Sequence, residues 1–490
     1  MIETELKFRV PPGQRAALQR AVATASVTRT RLRAVYFDTP QMHLAQAGMA
    51  LRLRQEGRRW VQTLKGGAGL MARAEHEVVV PAPRGEPALD PQRHAAAPVG
   101  QALLDLLAKA GLAVADLQVL YRTDVLRLHR LVRVEGALCE IAYDKGRLLA
   151  GEDRREVDEL EIELKSGPPQ ALAALAGRWV TRFGLWWDPR TKSEMGTRLA
   201  LQRLQVPALK AQGIQWPADP NPGALWTAAL QASLLQALAN AAELADGQGS
   251  IEHLHQLRVG LRRLRAALRL FAPWCADPAA ARALDEAWRE PFAVLGAARD
   301  ADVRRIELGP RLAAAGAPPF EWPPAEAEPT DVPAWVRGPE LHLLLLRALA
   351  LSLSPGAPGL SMATAARELL RPAWRAIRDD AKRFAEADAA ARHHLRKRLK
   401  RLRYAFEFLQ PLYAPKPAKK WLGAVTRALG ALGELNDCEV ARALLEPHAR
   451  VQPGAWFAVG WLSARREALL EDATAAVAAL DDTPRPWRGR

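Results

Sequence analysis

Short segments in which charged and apolar residues alternate constrain the fold of this chain more than any other sequence feature. Near the start, Glu3, Glu5 and Lys7 occupy every second position, with Leu6 and Phe8 at the alternate ones. Successive side chains of a β-strand point to opposite faces, so such a segment separates its charges from its apolar residues. The segments with this pattern are Ile2–Val10, Ala50–Gln55, Trp60–Lys65, Arg73–Val80, Leu138–Asp144 and Glu159–Lys165. We therefore predict an antiparallel sheet or barrel in residues 1–203.

Helical patterns interrupt these segments at Gly13–Ala23, Val99–Ala110 and Gln170–Phe183. Because strands outnumber helices, we expect an α+β domain rather than a doubly wound fold. Residues 204–222 are rich in proline and lack periodicity, which predicts a linker. Beyond it, Ala, Leu, Arg and Glu recur at helical spacing, so we predict an all-α domain in residues 223–480 and a loose tail at 481–490.

The helical half contains an internal repeat. His255 and Arg258 open a basic stripe that recurs 138 residues later at His393 and Arg396. Further along, the segment that begins at Arg299 matches the one that begins at Asn436, at an offset of 137. Two matched blocks at nearly one offset predict two similar helical bundles related by duplication. We place them at residues 223–308 and 339–480.

The chain of 490 residues carries 69 lysines and arginines against 54 acidic residues, a net charge of +15. This excess predicts an anionic partner, such as nucleic acid, a phosphate chain or an acidic membrane. Three widely separated cysteines argue against a disulfide scaffold and favour a reducing compartment. No segment has the pattern of a secretory signal or a membrane span, so we expect a cytoplasmic protein without a membrane partner.

The strand charges fall into two groups. Carboxylates dominate the first and the late strands, whereas Arg52, Arg54, Lys65 and Arg73 dominate the middle ones. One interpretation is a sheet with a solvated charged outer face. The other is a closed barrel lined by charge, which would need bulk water or a polyanion with divalent cations, because unpaired buried ions are costly. Carboxylates suit Mg²⁺ or Mn²⁺, and basic side chains suit phosphate.

These residues carry a family resemblance. The opening Glu3-x-Glu5-x-Lys7 resembles the ExExK signature of the CYTH superfamily, the triphosphate tunnel metalloenzymes. The other matching pieces follow in order: Tyr36-Phe37-Asp38-Thr39, Leu51-Arg52-Leu53-Arg54, Thr63-Leu64-Lys65-Gly66, Arg73 with Glu75, Arg122, Asp144-Lys145-Gly146, Leu160-Glu161-Ile162-Glu163-Leu164-Lys165 and Lys192-Ser193. The resemblance implies an eight-stranded antiparallel β-barrel tunnel with flanking helices, which binds a triphosphate and needs a divalent metal, Mg²⁺ or Mn²⁺.

The resemblance also assigns roles. The expected catalytic residues are Glu5, Lys65 and Glu161. The expected metal ligands are Glu3, Glu5, Asp144, Glu161 and Glu163. The expected phosphate contacts are Lys7, Arg52, Arg54, Lys65, Arg73, Arg122, Lys165 and Lys192. Glu75 is expected to orient a basic neighbour or to bind metal. The inward positions interpreted as structural are Glu77, Glu140 and Glu159, and Arg31 and Arg33 either extend a basic mouth or are solvated.

The basic helices suggest a second anion site. Helical spacing aligns His255, Arg258, Arg262, Arg265 and Arg269 in one stripe, and His393, Arg396, Lys400 and Arg403 in another, flanked by Arg263 and Arg401. Aligned cations repel one another, so the stripes favour a bound anion, although two solvated amphipathic helices have the same spacing. The repeat resembles the CHAD domain, which implies two four-helix bundles whose basic surface binds inorganic polyphosphate. The histidines would contact the anion or pack, and Asp300, Asp302, Asp437 and Glu439 would pair with the basic helices.

Together the resemblances predict a metal-dependent inorganic triphosphatase that hydrolyses tripolyphosphate to pyrophosphate and phosphate. The first alternatives are nucleotide or thiamine triphosphate hydrolysis and cyclisation of ATP, as in class IV adenylate cyclases. Those reactions call for an aromatic pocket, to which Tyr36, Trp60 and Trp186 could contribute. A polyphosphate-binding protein without catalytic activity is the second alternative. Nucleic acid is the weakest candidate partner, because aromatic residues do not interleave with the basic ones.

Overall fold

The structure, a computed structural model, describes residues 2–67, 70–81, 85–214, 216, 219–295, 308–323, 331–354, 356 and 361–487, without the side chains of residues 2, 3, 72 and 73. The chain forms two compact units. The sheet unit comprises Met1–Lys210, Leu234–Leu257 and Val332–Leu353. The helical unit comprises Ala211–Ser233, Arg258–Asp331 and Ser354–Arg490. Two segments that the sequence places in the helical domain therefore pack with the sheet.

The strands are β1 (Ile2–Arg9), β2 (Thr28–Asp38), β3 (Ala50–Glu56), β4 (Arg59–Gly66), β5 (Ala72–Val80), β6 (Gln118–Val134), β7 (Ala137–Ala150), β8 (Asp153–Ser166) and β9 (Trp186–Trp187). They form one antiparallel sheet in the order β5-β4-β3-β2-β6-β7-β8-β1-β9. The α+β fold with an antiparallel sheet is thus confirmed.

Pairing between β1 and β5 bends this sheet into a ring of eight strands. The pairing joins Ile2–Thr4 of β1 to Ala72–Ala74 of β5, whereas Glu5–Arg9 of β1 pair with β8. The ring has the eight strands expected from sequence, but it is not strictly a closed barrel, because β9 adds a ninth strand to the sheet and the described closure consists of three residue pairs. The ninth strand is the two-residue β9, which pairs with Phe8 and Arg9.

The apolar face of the strands is covered by helices, so the charged face lies inside the ring. Leu6, Phe8 and Ile162 are almost fully buried on the covered face. Leu51 and Leu64 pack with Leu103 and Leu107 of a helix that lies across β3 and β4. The helices of the amino-terminal region are α1 (Arg15–Val22), α2 (His43–Gln46), α3 (Pro98–Lys109), α4 (Gln170–Phe183) and α5 (Lys192–Ala200). Burial of these leucines and isoleucines, at about 1.5–3 kcal/mol each, fixes which face turns inward.

Helix α5 packs against the inner face of the sheet. Its Met195 and Leu199 share a buried cluster with Tyr36, Tyr121 and Val125. The side chain of Thr191 accepts a hydrogen bond from the backbone N–H of Glu194 and caps the helix. A Cβ atom at Gly196 would overlap the ring of Tyr121, so glycine there permits the close approach. The cap and the packing fix Lys192 at the first position of α5.

The remaining helices are α6 (Pro222–Ala245), α7 (Ile251–Leu270), α8 (Pro278–Ala287), α9 (Gly309–Ala314), α10 (Val332–Arg337), α11 (Pro339–Ser352), α12 (Met362–Ala381), α13 (Ala389–Leu409), α14 (Pro415–His448) and α15 (Ala455–Asp482). The predicted all-helical second half is confirmed. The two repeated basic stripes lie on α7 and α13, and a 3₁₀ turn follows each, at Ala272–Trp274 and Gln410–Leu412. None of the described helices is long and apolar enough to span a bilayer.

In the sheet unit, α11 packs against α4 and holds β9 through a hydrogen bond to Trp187. The backbone N–H of Trp187 donates to Nδ1 of His342 at 3.2 Å, and Nε2 of His342 lies 2.7 Å from the carbonyl oxygen of Val336. Burial lowers the pKa of His342 to about 4. The ring therefore stays neutral at neutral pH and can accept at one nitrogen while it donates at the other.

Candidate functional site

A cavity of about 1020 Å³ occupies the centre of the strand ring. Acidic and basic side chains from β1, β3–β8 and α5 line it. The charged lining residues are Glu5, Lys7, Arg52, Arg54, Lys65, Glu75, Glu77, Arg127, Glu140, Asp144, Glu161, Glu163, Lys165, Lys192, Glu194, Arg198 and Arg203. The charges of the alternating segments therefore face inward, and the solvated outer face considered from sequence is not the arrangement found.

One group of lining residues centres on Lys192. Its ammonium nitrogen lies 2.8 Å from Asp144, 2.9 Å from Glu159 and 2.8 Å from Glu161. Strand register explains the convergence, because Asp144 of β7 pairs with Glu159 of β8, and Arg127 of β6 pairs with Asp144. The Arg127 guanidinium donates two hydrogen bonds to Asp144, at 2.7 and 2.6 Å, and a third to Glu161. Three carboxylates thus surround Lys192, and two of them also bind Arg127.

These contacts control the protonation of the group. Burial alone would raise the pKa of Asp144 and of Glu161, but the charges of Arg127 and Lys192 outweigh burial and hold both pKa values below their ordinary range. Burial would lower the pKa of Lys192, and the three carboxylates instead raise it well above its ordinary value. At neutral pH, Asp144, Glu161 and Lys192 are therefore charged.

A second group, rich in arginine, lies on β3, β4 and β5. Lys65 and Glu75 are register partners, and their side chains lie 3.2 Å apart. Arg52 donates to the hydroxyl of Tyr36 at 3.1 Å, and Arg54 pairs with Glu77 at 3.2 Å. Arg54 also pairs with Glu56. Burial and the neighbouring charge of Arg52 lower the pKa of Arg54, so an added anion would relieve cation crowding here.

The first and the late strands supply a third group. Lys7 pairs with Glu5 at 2.5 Å, and Lys7 lies in register with Glu161. Lys165 pairs with Glu163 at 2.7 Å, and Glu5 lies in register with Glu163. The ExExK segment and the Glu161–Lys165 segment therefore face each other across neighbouring strands, as the shared parity of their charges suggests.

Several predicted residues do not line the cavity. Arg122 lies on the outer face, where its side chain is half exposed and pairs with Glu86 at 3.1 Å. Glu159 is buried beside the lining and pairs with Arg9 and Lys192. Arg31 and Arg33 are exposed and lie 2.7 and 4.0 Å from Asp124. The side chains of Glu3 and Arg73 lie outside the described part of the structure, as do Asp300 and Asp302.

Three cavity-lining arginines, Arg127, Arg198 and Arg203, are not among the residues predicted from sequence. Arg127 belongs to β6, a 17-residue strand that was not predicted. The signal was available, because Thr123, Val125 and Arg127 share one parity and Arg122 has the other. Arg198 lies in α5, where strand parity gives no guidance. Its guanidinium pairs with Glu194 at 2.5 Å and with Glu243 at 2.7 Å.

Whether the site fits a divalent cation can be tested on its donor atoms. Among the described residues, no three His, Cys, Asp or Glu side chains are grouped so that they could hold a metal ion. However, oxygens of Asp144, Glu159 and Glu161 converge within 2.9 Å of a single cationic nitrogen, that of Lys192. Carboxylate oxygens that converge on a cation are the donors Mg²⁺ and Mn²⁺ prefer. The donor atoms are therefore of the type that such an ion prefers, while Lys192 and Arg127 pair with the same carboxylates in the structure.

The basic stripes of the helical unit are partly neutralised. Arg265 and Arg269 both pair with Asp285, the first at 2.9 Å. Arg403 pairs with Glu407 at 3.2 Å, and Nδ1 of His393 lies 2.7 Å from the amide oxygen of Asn436. The guanidinium groups of Arg258 and Arg262 lie 5.8 and 5.6 Å from the ring centre of Phe292. In the sheet unit, His255 is half-buried on α7.

The two stripes approach each other around Lys400. Burial lowers the pKa of Lys400 to about 7, and the charges of Arg396, Arg262 and Arg403 add to this effect, against an opposing influence from Asp437. Arg262 belongs to the first repeat and Lys400 to the second. The repeats thus place at least four cationic groups near one point, which is electrostatically costly without an anion.

Comparison with known protein families gives two matches on this chain. The family described as CYTH domain matches residues 1–182. The family described as CHAD domain matches residues 228–446. The strand ring and its cavity lie within or next to the first match, and both basic stripes lie within the second.

Similar proteins are known for each part. A curated inorganic triphosphatase of Haemophilus influenzae is 30% identical over 201 residues, which cover 40% of this chain and 54% of that protein. The chain thus matches about half the length of this curated relative. The crystal structure of the CHAD domain from the plant Ricinus communis is 29% identical and covers 56% of this chain and 97% of its own, with a TM-score of 0.46. A Hippeastrum protein described as an adenylyl cyclase candidate with a dominant triphosphatase activity is 22% identical, with 40% and 95% coverage and a TM-score of 0.26.

Proposed function

We propose that this chain, in which a CYTH domain is followed by a CHAD domain, hydrolyses tripolyphosphate to pyrophosphate and phosphate in the cavity of its sheet unit. A triphosphate-directed activity is supported by the family match and by the triphosphatase relative. The observation that carries the proposal is the cavity lining, in which arginines and lysines alternate with carboxylates. The charges attract and orient a polyanion together with a divalent cation.

The balance of the lining favours a metal–triphosphate complex over a bare anion. Of the described lining side chains, nine are basic and eight are acidic. A bare triphosphate would meet nearly as much repulsion as attraction, whereas a bound cation neutralises part of both the phosphate and the carboxylate charge. Arg52, Arg54 and Lys65 are then the groups that bind phosphate oxygens, in competition with Glu75 and Glu77.

We assign the metal-binding role to Glu5, Asp144, Glu161 and Glu163, with Glu3 as a further candidate. When bound, Mg²⁺ or Mn²⁺ would neutralise phosphate charge and lower the pKa of a coordinated water. The side chains supply the rest. Lys192 and Arg127 hold Asp144 and Glu161 ionised and in place, and Lys7 lies in register with Glu161 on the neighbouring strand. Arg54 and Lys65 would keep the phosphate chain extended for in-line attack.

The lining favours an inorganic substrate over a nucleotide or thiamine triphosphate. Tyr36 is the one aromatic residue among the described lining residues. It is 5% exposed, accepts a hydrogen bond from Arg52 and stacks on Tyr121 with ring centres 4.5 Å apart. Trp60 and Trp186 are not among the described lining residues. A base would therefore find no open aromatic face for stacking in the described lining.

A substrate panel tests this function. Purified full chain is incubated with tripolyphosphate, ATP, thiamine triphosphate or long-chain polyphosphate, with Mg²⁺, Mn²⁺ or EDTA. We expect the highest kcat/KM with tripolyphosphate and loss of turnover in EDTA. Preference for ATP or thiamine triphosphate would support the alternative tunnel chemistries. Binding without turnover for every compound would support a non-catalytic polyphosphate-binding protein.

We further propose that the helical unit binds inorganic polyphosphate through the basic stripes of α7 and α13, with Arg262, Arg396, Lys400 and Arg403 at the centre. The crowding of these cations around Lys400 supports this assignment. A cytoplasmic location is part of the proposal and is supported by Cys139, Cys275 and Cys438, which are buried free thiols.

A further inference from the structure

The segment that leads into α5 is held by a buried network of ion pairs. Arg190 binds Asp188 through two contacts, at 2.9 Å from Nε and 2.7 Å from Nη2. The same guanidinium lies 3.3 Å from Glu243 and 2.8 Å from Asp246. Side chains of Arg190, Asp188 and Glu243 are each less than 7% exposed. Such a network tolerates loss of a partner poorly, because the remaining charge stays buried and unpaired.

Glu243 and Asp246 also hold the elements that carry the cavity. Glu243 accepts from Arg198 of α5 at 2.7 Å, and Arg198 lines the cavity. Asp246 pairs at 2.7 Å with Arg155 of β8, the strand that supplies Glu161 and Glu163. The carboxyl-terminal end of α6 therefore contacts both α5 and β8. These acidic residues lie within the CHAD match, 228–446, although they pack in the sheet unit.

Arg190 lies only two residues before Lys192, which lines the cavity. Thr191, the cap of α5, follows Arg190 directly, and Lys192 is the first residue of the helix. On the other side of Arg190, Trp187 is fixed by its hydrogen bond to His342. Displacement of Arg190 would consequently displace the ammonium of Lys192 from Asp144, Glu159 and Glu161.

We propose that Glu243 and Asp246 are positioning residues, which hold Arg190, Arg198 and Lys192 in place and make the cavity of the sheet unit depend on α6. The kinetic consequence rests on the proposed triphosphatase function, whereas the structural consequence does not. Activity in the region that matches the CYTH domain thereby requires Glu243 and Asp246, which belong to the region that matches the CHAD domain.

The test uses the full chain and measures hydrogen exchange of the peptide that spans residues 188–200. The variants are Glu243→Gln, Asp246→Asn and their combination, with Glu243→Asp as the conservative variant. Glu286→Gln is the matched control, because Glu286 is exposed and pairs at the surface with Arg289, at 2.8 Å. We expect exchange in this peptide to accelerate about tenfold or more in the Gln and Asn variants, since local opening becomes easier. Glu243→Asp should recover most of the protection, and Glu286→Gln should match wild type.

Kinetics supply the second readout. We expect kcat for tripolyphosphate to fall by about tenfold or more in Glu243→Gln, with partial recovery in Glu243→Asp. Unchanged protection of residues 188–200 in a folded double variant would overturn the proposal, as would an equal acceleration over all peptides. Should the double variant fail to fold, the single variants decide by the same criteria. If wild type lacks turnover, the triphosphatase function fails, while the exchange result still decides the positioning role.

Discussion

At the scale of single residues, the chemistry of the cavity depends on cations that keep carboxylates ionised. Lys192 and Arg127 lie between Asp144 and Glu161, and their charges hold the pKa values of both acids low. A carboxylate must be ionised to bind a divalent cation, so in the proposed function these bases would act indirectly on metal affinity. The arginines of β3 pair instead with Glu75 and Glu77, and the role that we propose for them is to bind phosphate oxygens.

Substitution of Lys192 by methionine tests this role. Lys192→Met leaves Asp144, Glu159 and Glu161 close together with one fewer cation, so we expect kcat/KM to fall by about 100-fold. The pKa values of Asp144 and Glu161 should rise, which moves the acid limb of the pH–rate profile to higher pH. Lys145→Met is the control, because Lys145 is exposed on the opposite face of β7. An unchanged acid limb in Lys192→Met would contradict this account.

Lys400 predicts a pH-dependent affinity for polyphosphate. Its pKa of about 7 means that it loses its charge as the pH rises through neutrality, and a bound anion should raise that pKa. At pH 8, polyphosphate binding should therefore take up nearly one proton per site. Calorimetry in two buffers of different ionisation enthalpy measures this uptake.

The uptake should disappear in Lys400→Arg, since arginine stays charged throughout this pH range. The control is Lys397→Arg on the same helix, where Lys397 is exposed and the uptake should persist. The charged groups that face Lys400 are Arg396 and Arg403 from α13, Arg262 from α7 and Asp437 from α14. Equal proton uptake by wild type and Lys400→Arg would assign the titration to another group.

At the scale of elements, strand parity determines which charges reach the cavity. In β6, Arg127 lies on the inner face and Arg122 on the outer face, although both are arginines of one strand. Removal of Arg127 leaves Asp144 and Glu161 short of a partner, whereas Arg122 pairs with Glu86 in contact with solvent. Position in the strand, rather than residue type, decides the effect of each.

We expect Arg127→Gln to lower the free energy of unfolding by about 3–5 kcal/mol and to abolish most turnover. Arg122→Gln should change the free energy of unfolding by no more than about 0.5 kcal/mol and leave kcat/KM nearly unchanged. Denaturant unfolding and initial rates measure both effects. A larger loss of activity in Arg122→Gln than in Arg127→Gln would contradict the assignment of Arg127 to the inner face and Arg122 to the outer face of β6.

The predictable part of the fold followed from local patterns. Segments such as Ala50–Gln55 and Glu159–Lys165 alternate strictly, and both lie in strands. The helical pattern Gln170–Phe183 matches α4. In β2 the alternation is less regular, because Val35, Tyr36 and Phe37 interrupt it near an irregularity in its register with β6. This strand was therefore missed, whereas the parity of Thr123, Val125 and Arg127 would have identified the inner face of β6.

At the scale of the whole molecule, sequence composition and packing draw different boundaries. Composition separates a strand-rich half from a helical half near residue 204, yet Leu234–Leu257 and Val332–Leu353 pack in the sheet unit. Composition could not reveal this, because the cause is a set of long-range contacts, namely Arg190 with Glu243 and Trp187 with His342. Ion pairs between distant segments leave no periodic signal in sequence.

The most direct test of the account measures the products formed from tripolyphosphate by the full chain and by Glu161→Gln. Glu161 contacts both Lys192 and Arg127, so its loss should disable the cavity without changing its size. With Mg²⁺ or Mn²⁺, wild type should release pyrophosphate and phosphate in equal amounts, and Glu161→Gln should be slower by about 100-fold. Equal rates for the two proteins, unaffected by EDTA, would contradict the assignment of triphosphate hydrolysis to this cavity.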